Sequence, residues 1–179
     1  MLCRWMSEPT SNFDNVEFPT PKRTFVRKVV KKYMLGIFIS ESGGSILYPF
    51  QISPQIREDL VSSFISALAM FGEENVGKIR RVFIEGLDVE MSIYSKHDLI
   101  LTVIFKPNMV QDHLDEEMEH TLDLFNEKYS KELKERKLNQ ALYRKFDSAM
   151  VKIITDYFLR IEVLKEDHMF SHLFSFKKD

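Results

Sequence analysis

The residues best spaced for chemistry lie in the stretch His113-Leu114-Asp115-Glu116-Glu117-Met118-Glu119-His120. On a helix turning about 100° per residue, His113, Glu117 and His120 fall within roughly 60° of one another. Imidazole and carboxylate groups on one face are the donors that zinc and iron take. Glu117-x-x-His120 has the spacing of one half of a di-iron site, but such a site needs a second pair of this kind and two further carboxylates. The sequence supplies neither. The same wheel places Leu114, Met118, Leu122, Phe125 and Tyr129 about 130° from the histidines, which turns the ligand-like face to water. The reading is a solvated acidic face, with no metal site expected.

That face is strongly charged. Residues 111–127 contain Asp112, Asp115, Glu116, Glu117, Glu119, Asp123 and Glu127, and no Lys or Arg. Acids in the first turns of a helix are stabilised by the positive end of its dipole, which suffices to explain them. A docking surface for a basic partner, or for this chain's own basic segment, is the other reading. That segment is KRTFVRKVVKK, with Lys22, Arg23, Arg27, Lys28, Lys31 and Lys32 among eleven residues. It is a candidate contact for an anionic membrane or an acidic partner, each cation contributing roughly 1 kcal/mol near such a surface. A solubilising linker, or a segment packed on its own domain, is the alternative. No RNA-stacking aromatic motif accompanies it, so no nucleic-acid partner is expected.

Signatures of catalysis are absent from the sequence. Gly43-Gly44 is followed by no helix opening with Lys-Ser or Lys-Thr, so there is no phosphate-cradling loop. There is no Gly-x-Gly-x-x-Gly, Gly-x-Ser-x-Gly or His-Glu-x-x-His. Cys3 lies in the unpatterned start of the chain and is not expected to be a nucleophile. The expectation is a protein that is not an enzyme, with no catalytic residue and no cofactor.

The elements that would position these residues follow from periodicity. Of 179 residues, 44% are apolar and 29% charged, ordinary values for one globular domain. A single cysteine, no window of 18 apolar residues and no signal-like start give the expectation of a cytoplasmic protein, with a peripheral place at the cytosolic face of membranes as the further reading. Residues 7–21 hold three prolines without period and read as a loose lead-in. The conformation of 22–32 is open between helix and strand. YMLGIFIS and SILYPFQI flank a Gly-Gly turn and predict a hairpin. Pro49, lacking an N–H, makes the second strand an edge strand. Ser53-Pro54 predicts a helix start, with Leu60, Phe64, Leu68 and Phe71 as its stripe and Gly72 as its stop. KIRRVFIE, LDVEMSIYS and LILTVIF predict three more strands, with Lys96-His97-Asp98 as a turn. Asn108 with Gln111 predicts the cap of a helix running through Leu114, Met118, Leu122, Phe125, Tyr129 and Leu133. A final helix is expected through Leu138, Leu142, Phe146, Ala149, Ile153, Tyr157 and Ile161. The fold class is therefore α+β, a five-stranded antiparallel sheet in the order β-β-α-β-β-β-α-α with helices on both faces.

This order, with MLGIFISESGGSILYPF as opening hairpin, SKHDLILTVIF as fifth strand and HLDEEMEHTLDLFNEKYSKEL as a long late helix, resembles the longin family. The similarity runs from about Tyr33 to Arg160, and extends in tone to the longin and roadblock proteins of archaea related to eukaryotes. The sister roadblock fold begins with an extra helix and closes with one helix, so two late stripes favour longin. The division expected is an extension at 1–32 carrying the basic arm (22–32), a longin-like domain at 33–172 and a tail at 173–179. The resemblance implies a dimerising, non-enzymatic platform that binds a small Ras-like GTPase or another longin or roadblock subunit in a regulatory or membrane-trafficking assembly. An adaptor or targeting-receptor subunit that recruits coat or targeting machinery without GTPase contact is the alternative, and a metal-dependent enzyme a remote one. Ser62, Ser63 and Ser66, small residues on the first long helix, are the candidate dimer or partner contacts, since that helix often lies at family interfaces.

Overall fold

Alternation of apolar side chains along four long strands builds a sheet with two buried faces. The structure, a computed structural model, describes residues 23–71, 81–84 and 89–161. Its elements are α1 (Arg23–Tyr33), β1 (Met34–Glu41), β2 (Ile46–Gln51), α2 (Glu58–Phe71), β3 (Arg81–Ile84), β4 (Val89–Lys96), β5 (Leu99–Phe105), α3 (Leu114–Lys128), α4 (Ser130–Lys134), a 3₁₀ helix (Gln140–Phe146) and α5 (Asp147–Arg160). The strands pair antiparallel in the spatial order β2-β1-β5-β4-β3.

The expected longin-like order is overturned. A helix, α1, precedes the hairpin, and the closing region is α3, the five-residue α4, a 3₁₀ helix and α5 rather than two helices. The expected five-stranded sheet is corrected to four full strands with one short strand at the edge. β1, β2, β4 and β5, of 6–8 residues, carry the sheet, whereas β3 adds four residues along one edge. Residues 23–33 are helical because Val29 and Val30 find a buried seat in the main core, and α1 packs against α5. This is the trait that the longin pattern lacks.

The two hairpin turns among the described residues obey local backbone rules. Gly44, at φ 89°, takes the left-handed position of the β1–β2 turn, and its N–H donates to Glu41 O at 2.9 Å. His97 and Asp98 both have positive φ, 56° and 58°, between the paired Lys96 and Leu99. That is the two-residue turn whose twist suits antiparallel strands. Pro49 sits in β2 at the sheet edge, as expected.

Period-2 alternation sorts the strand residues. Ile37, Ile39, Tyr48, Phe50, Tyr94, Leu99, Leu101, Val103 and Phe105 turn to one face and join α1, α3, the 3₁₀ helix and α5 in the larger cluster. Phe38, Ile46, Met91, Ile100 and Ile104 turn to the other and meet Val61 and Ile65 of α2. The larger core centres on Phe125, whose ring lies 4.9–6.0 Å from those of Tyr48, Tyr129, Tyr143 and Phe146.

Helix starts are displaced from their sequence signals. Ser53 closes a turn by accepting from Ile56 N at 3.3 Å, and α2 begins only at Glu58. Gln111 does not cap a helix from Asn108; its amide donates to Glu90 at 2.9 Å, and α3 starts after His113 at φ 60°. The late stripe beginning at Leu138 fails because residues 140–146 take a 3₁₀ period. With three residues per turn, Tyr143 and Phe146 share the buried column, and Leu138 and Leu142 stay exposed. The Gly72 stop, Cys3, the lead-in and the 173–179 tail lie outside the described residues.

Candidate interaction surfaces

The acidic stretch of α3 is partly occupied by the molecule itself. Asp115 accepts from Tyr94 Oη at 2.8 Å, and Asp123 accepts from Lys96 Nζ at 2.8 Å and contacts His97 Nε2 at 2.7 Å. Glu117 is only 7% exposed and pairs with Arg160 of α5 at 2.6 Å. Its expected place on a solvated face is therefore corrected, because α5 packs on that side of α3. His113 and His120 are exposed, and His113 contacts Glu116 at 3.3 Å. Among the described residues, no group of three His, Cys, Asp or Glu side chains is arranged to hold a metal. Asp112, Glu116, Glu119 and Glu127 remain as the outward-facing acids.

Asp123 clamps α3 to the β4–β5 turn through Lys96 and His97. Hydrogen bonds from Lys96, then His97, hold its carboxyl below the ordinary carboxylate value. A folded-state pKa below the unfolded one gives stability that is present above the unfolded value and disappears as pH falls through the folded one. Asp123→Asn is expected to destabilise the protein at neutral pH, with the gap from wild type closing in acid. Chemical denaturation of both proteins across a pH series measures this gap.

A second carboxyl behaves oppositely. Burial raises Asp147, and burial together with the neighbouring Asp147 charge pushes the Tyr48 hydroxyl well above its ordinary value. Neither Tyr48 Oη nor Asp147 Oδ1 has a hydrogen-bond partner of normal geometry among the described residues. Such a buried polar pair is a cost the aromatic core carries.

The basic arm divides. Lys22 lies outside the described residues, and Arg23 and Arg27 belong to α1. Lys28, Lys31 and Lys32 are exposed, and Lys32 Nζ stands 4.9 Å from the centre of the Tyr33 ring. Val29 and Val30 are spent on the protein's own core, so the arm packs on its domain and presents cations without an apolar edge from these valines.

The serines of α2 divide as well. Ser62 Oγ donates to Gly44 O at 3.0 Å, and a Cβ built on Gly44 would lie 1.9 Å from Ser66 Oγ. Ser62 and Ser66 are thus small so that α2 can close on the hairpin. Ser63 is exposed and donates to Asp59 O at 2.9 Å. With Leu60 and Ala67 it forms an outward stripe at i, i+3, i+7, in which Leu60 is 59% exposed. Beside α2, Val89 and Ile93 of β4 are only partly covered.

The region that sequence reasoning missed lies at the opposite end of the sheet from α1. Here a cleft of about 750 Å³ opens between the two hairpin turns and residues 126–143, lined among others by Glu41, Asp98, Lys134, Arg136, Lys137 and Leu138. The signal was present as the cation-rich run KELKERKLNQALYRK, masked by two glutamates and by the helical reading of its leucines.

Fold and surfaces together define an α+β protein whose antiparallel sheet is covered, among the described residues, by α1, α3, the 3₁₀ helix and α5 on one face and by α2 on the other. No protein-family model matches the chain, and a search of curated proteins finds no match. Among the described residues, no helix is long and apolar enough to cross a membrane.

Proposed function

We propose that this chain is a non-catalytic interaction platform of the longin and roadblock superfamily. Its partner is a small Ras-like GTPase or another longin or roadblock subunit, in a regulatory or trafficking assembly at the cytosolic face of membranes. The carrying observation is the unequal covering of the sheet. Among the described residues, one face is closed by α1, α3, the 3₁₀ helix and α5, whereas α2 stands over the other and offers Leu60, Ser63 and Ala67 outward beside the partly covered Val89 and Ile93. Leu60 with the partly covered Val89 and Ile93 is the apolar element that a protein partner would cover. The leading helix supports the roadblock side of the resemblance.

Pull-down of the full chain with small GTPases loaded with GDP or a GTP analogue tests the partner. Binding in one nucleotide state, weakened at least about tenfold by Leu60→Arg, is expected, since a central apolar contact carries about 1.4 kcal/mol or more. Equal, negligible binding in both states sinks the GTPase reading. Light scattering then decides whether a second subunit takes its place: self-association abolished by Leu60→Arg keeps α2 as the contact.

A further inference from the structure

We propose that residues 131–145 form a docking surface for an anionic lipid bilayer. Lys131, Lys134, Arg136, Lys137, Arg144 and Lys145 are all exposed there, against the carboxylates of Glu132 and Glu135, and Glu135 is already paired with Lys137 at 2.6 Å. Between these cations stand Leu138, 50% exposed, and Leu142, 38% exposed.

The leucines are held outward by a pinned backbone. Arg136 turns the chain out of α4 in the left-handed conformation, φ 52°. Tyr143 Oη then donates to Lys137 O at 2.6 Å, and Tyr129 Oη to Tyr143 O at 3.3 Å. The Asn139 side chain caps Ala141 N at 3.0 Å, and Gln140 donates to Ile46 O at 3.2 Å. In a three-residue period, Tyr143 and Phe146 fill the inward column, Leu142 and Lys145 share a second, and Ala141 and Arg144 a third. Two apolar tips ringed by long cations suit the boundary between headgroups and acyl chains, where lysine and arginine reach up to phosphate and the leucines enter.

The occupant's shape follows from the neighbouring cleft. Its sheet-side residues include Glu41 and Asp98, so an acidic peptide seated in the cleft would meet like charge. A bilayer resting on the rim touches the cations and the leucines instead.

The test uses the full chain and vesicles of phosphatidylcholine, with and without phosphatidylserine. Co-sedimentation only with the anionic vesicles is expected. Lys134→Glu/Arg136→Glu/Lys137→Glu should weaken it at least about tenfold, since each cation near such a surface accounts for roughly fivefold. Leu142→Trp should show a blue shift on anionic vesicles, read against the background of Trp5. Reversal of Lys28, Lys31 and Lys32 at the far end should leave most of the binding. Circular dichroism verifies folding, and every substituted side chain is exposed. Partitioning indifferent to phosphatidylserine, or lost only on reversal in α1, overturns the proposal. So does capture of polyglutamate by the same cations without vesicle binding, which would assign the surface to an acidic protein.

Discussion

Phe125→Ala is expected to destabilise the protein by about 3–5 kcal/mol, the range for truncating a buried phenylalanine in a core that cannot collapse around the void. Phe125 is fully buried and stands at the meeting of three elements: Tyr48 comes from β2, Tyr129 from the residue that caps α3, and Tyr143 and Phe146 from the 3₁₀ helix. Three of these rings are themselves fixed by backbone contacts or packing on further aromatics, so none can swing into the gap without giving up its own contact. Urea denaturation should show a lower midpoint with the slope unchanged, the mark of lost stability without altered compactness. Leu122→Met, which keeps volume in the same core, should cost under about 1.5 kcal/mol. An alanine effect no larger than that of Leu122→Met would mean that the ring cluster is not the keystone described.

Gly44→Ala should cost about 2–4 kcal/mol, from two separable sources. A side chain at φ 89° is strained by about 1 kcal/mol or more. The new methyl also meets Ser66, with Oγ at 1.9 Å, Cβ at 2.9 Å and Cα at 3.1 Å. Rotating the hydroxyl away relieves only the first contact, so α2 must back off and surrender its hydrogen bond from Ser62. Combining Gly44→Ala with Ser66→Gly removes the two closest contacts and leaves the strain. A double-mutant cycle should therefore give a coupling of about 1 kcal/mol or more, in the sense of rescue. Additive losses would show that the cost is conformational strain alone.

How much of this could be read from sequence depended on where the deciding contact lay. The strands and both hairpins were legible because alternation and turn residues act within a few positions: Leu99 to Phe105 reads as a strand wherever it is placed, and Gly44 marks its own turn. The state of 22–32 was not legible, since β-branched Val29 and Val30 suit strand or helix until α5 provides their seat. Leu138 and Leu142 fit a four-residue spacing with Phe146, yet the chain takes a three-residue period there and buries Tyr143 instead. The candidate surfaces suffered likewise. The acids of α3 were visible as charge, but their partners Tyr94, Lys96, His97 and Arg160 come from other elements. The serines of α2 were recognised as permitting close approach, with the approaching element mistaken: it is the protein's own hairpin.

The seat of α1 has a consequence for the order in which the molecule is made. Tyr33, at the end of the first described helix, packs on Phe158 near the end of the last, their ring centres 6.2 Å apart. A ribosome releasing the chain from its N-terminal side therefore delivers α1 well before α5 exists to receive it. During that interval Val29 and Val30 are uncovered, and Lys28, Lys31 and Lys32 flank them as charged gatekeepers against association with other nascent chains. The α1–α5 contact thus joins the two ends of the described fold, a long-separation closure whose chain entropy must be met before its contacts stabilise anything.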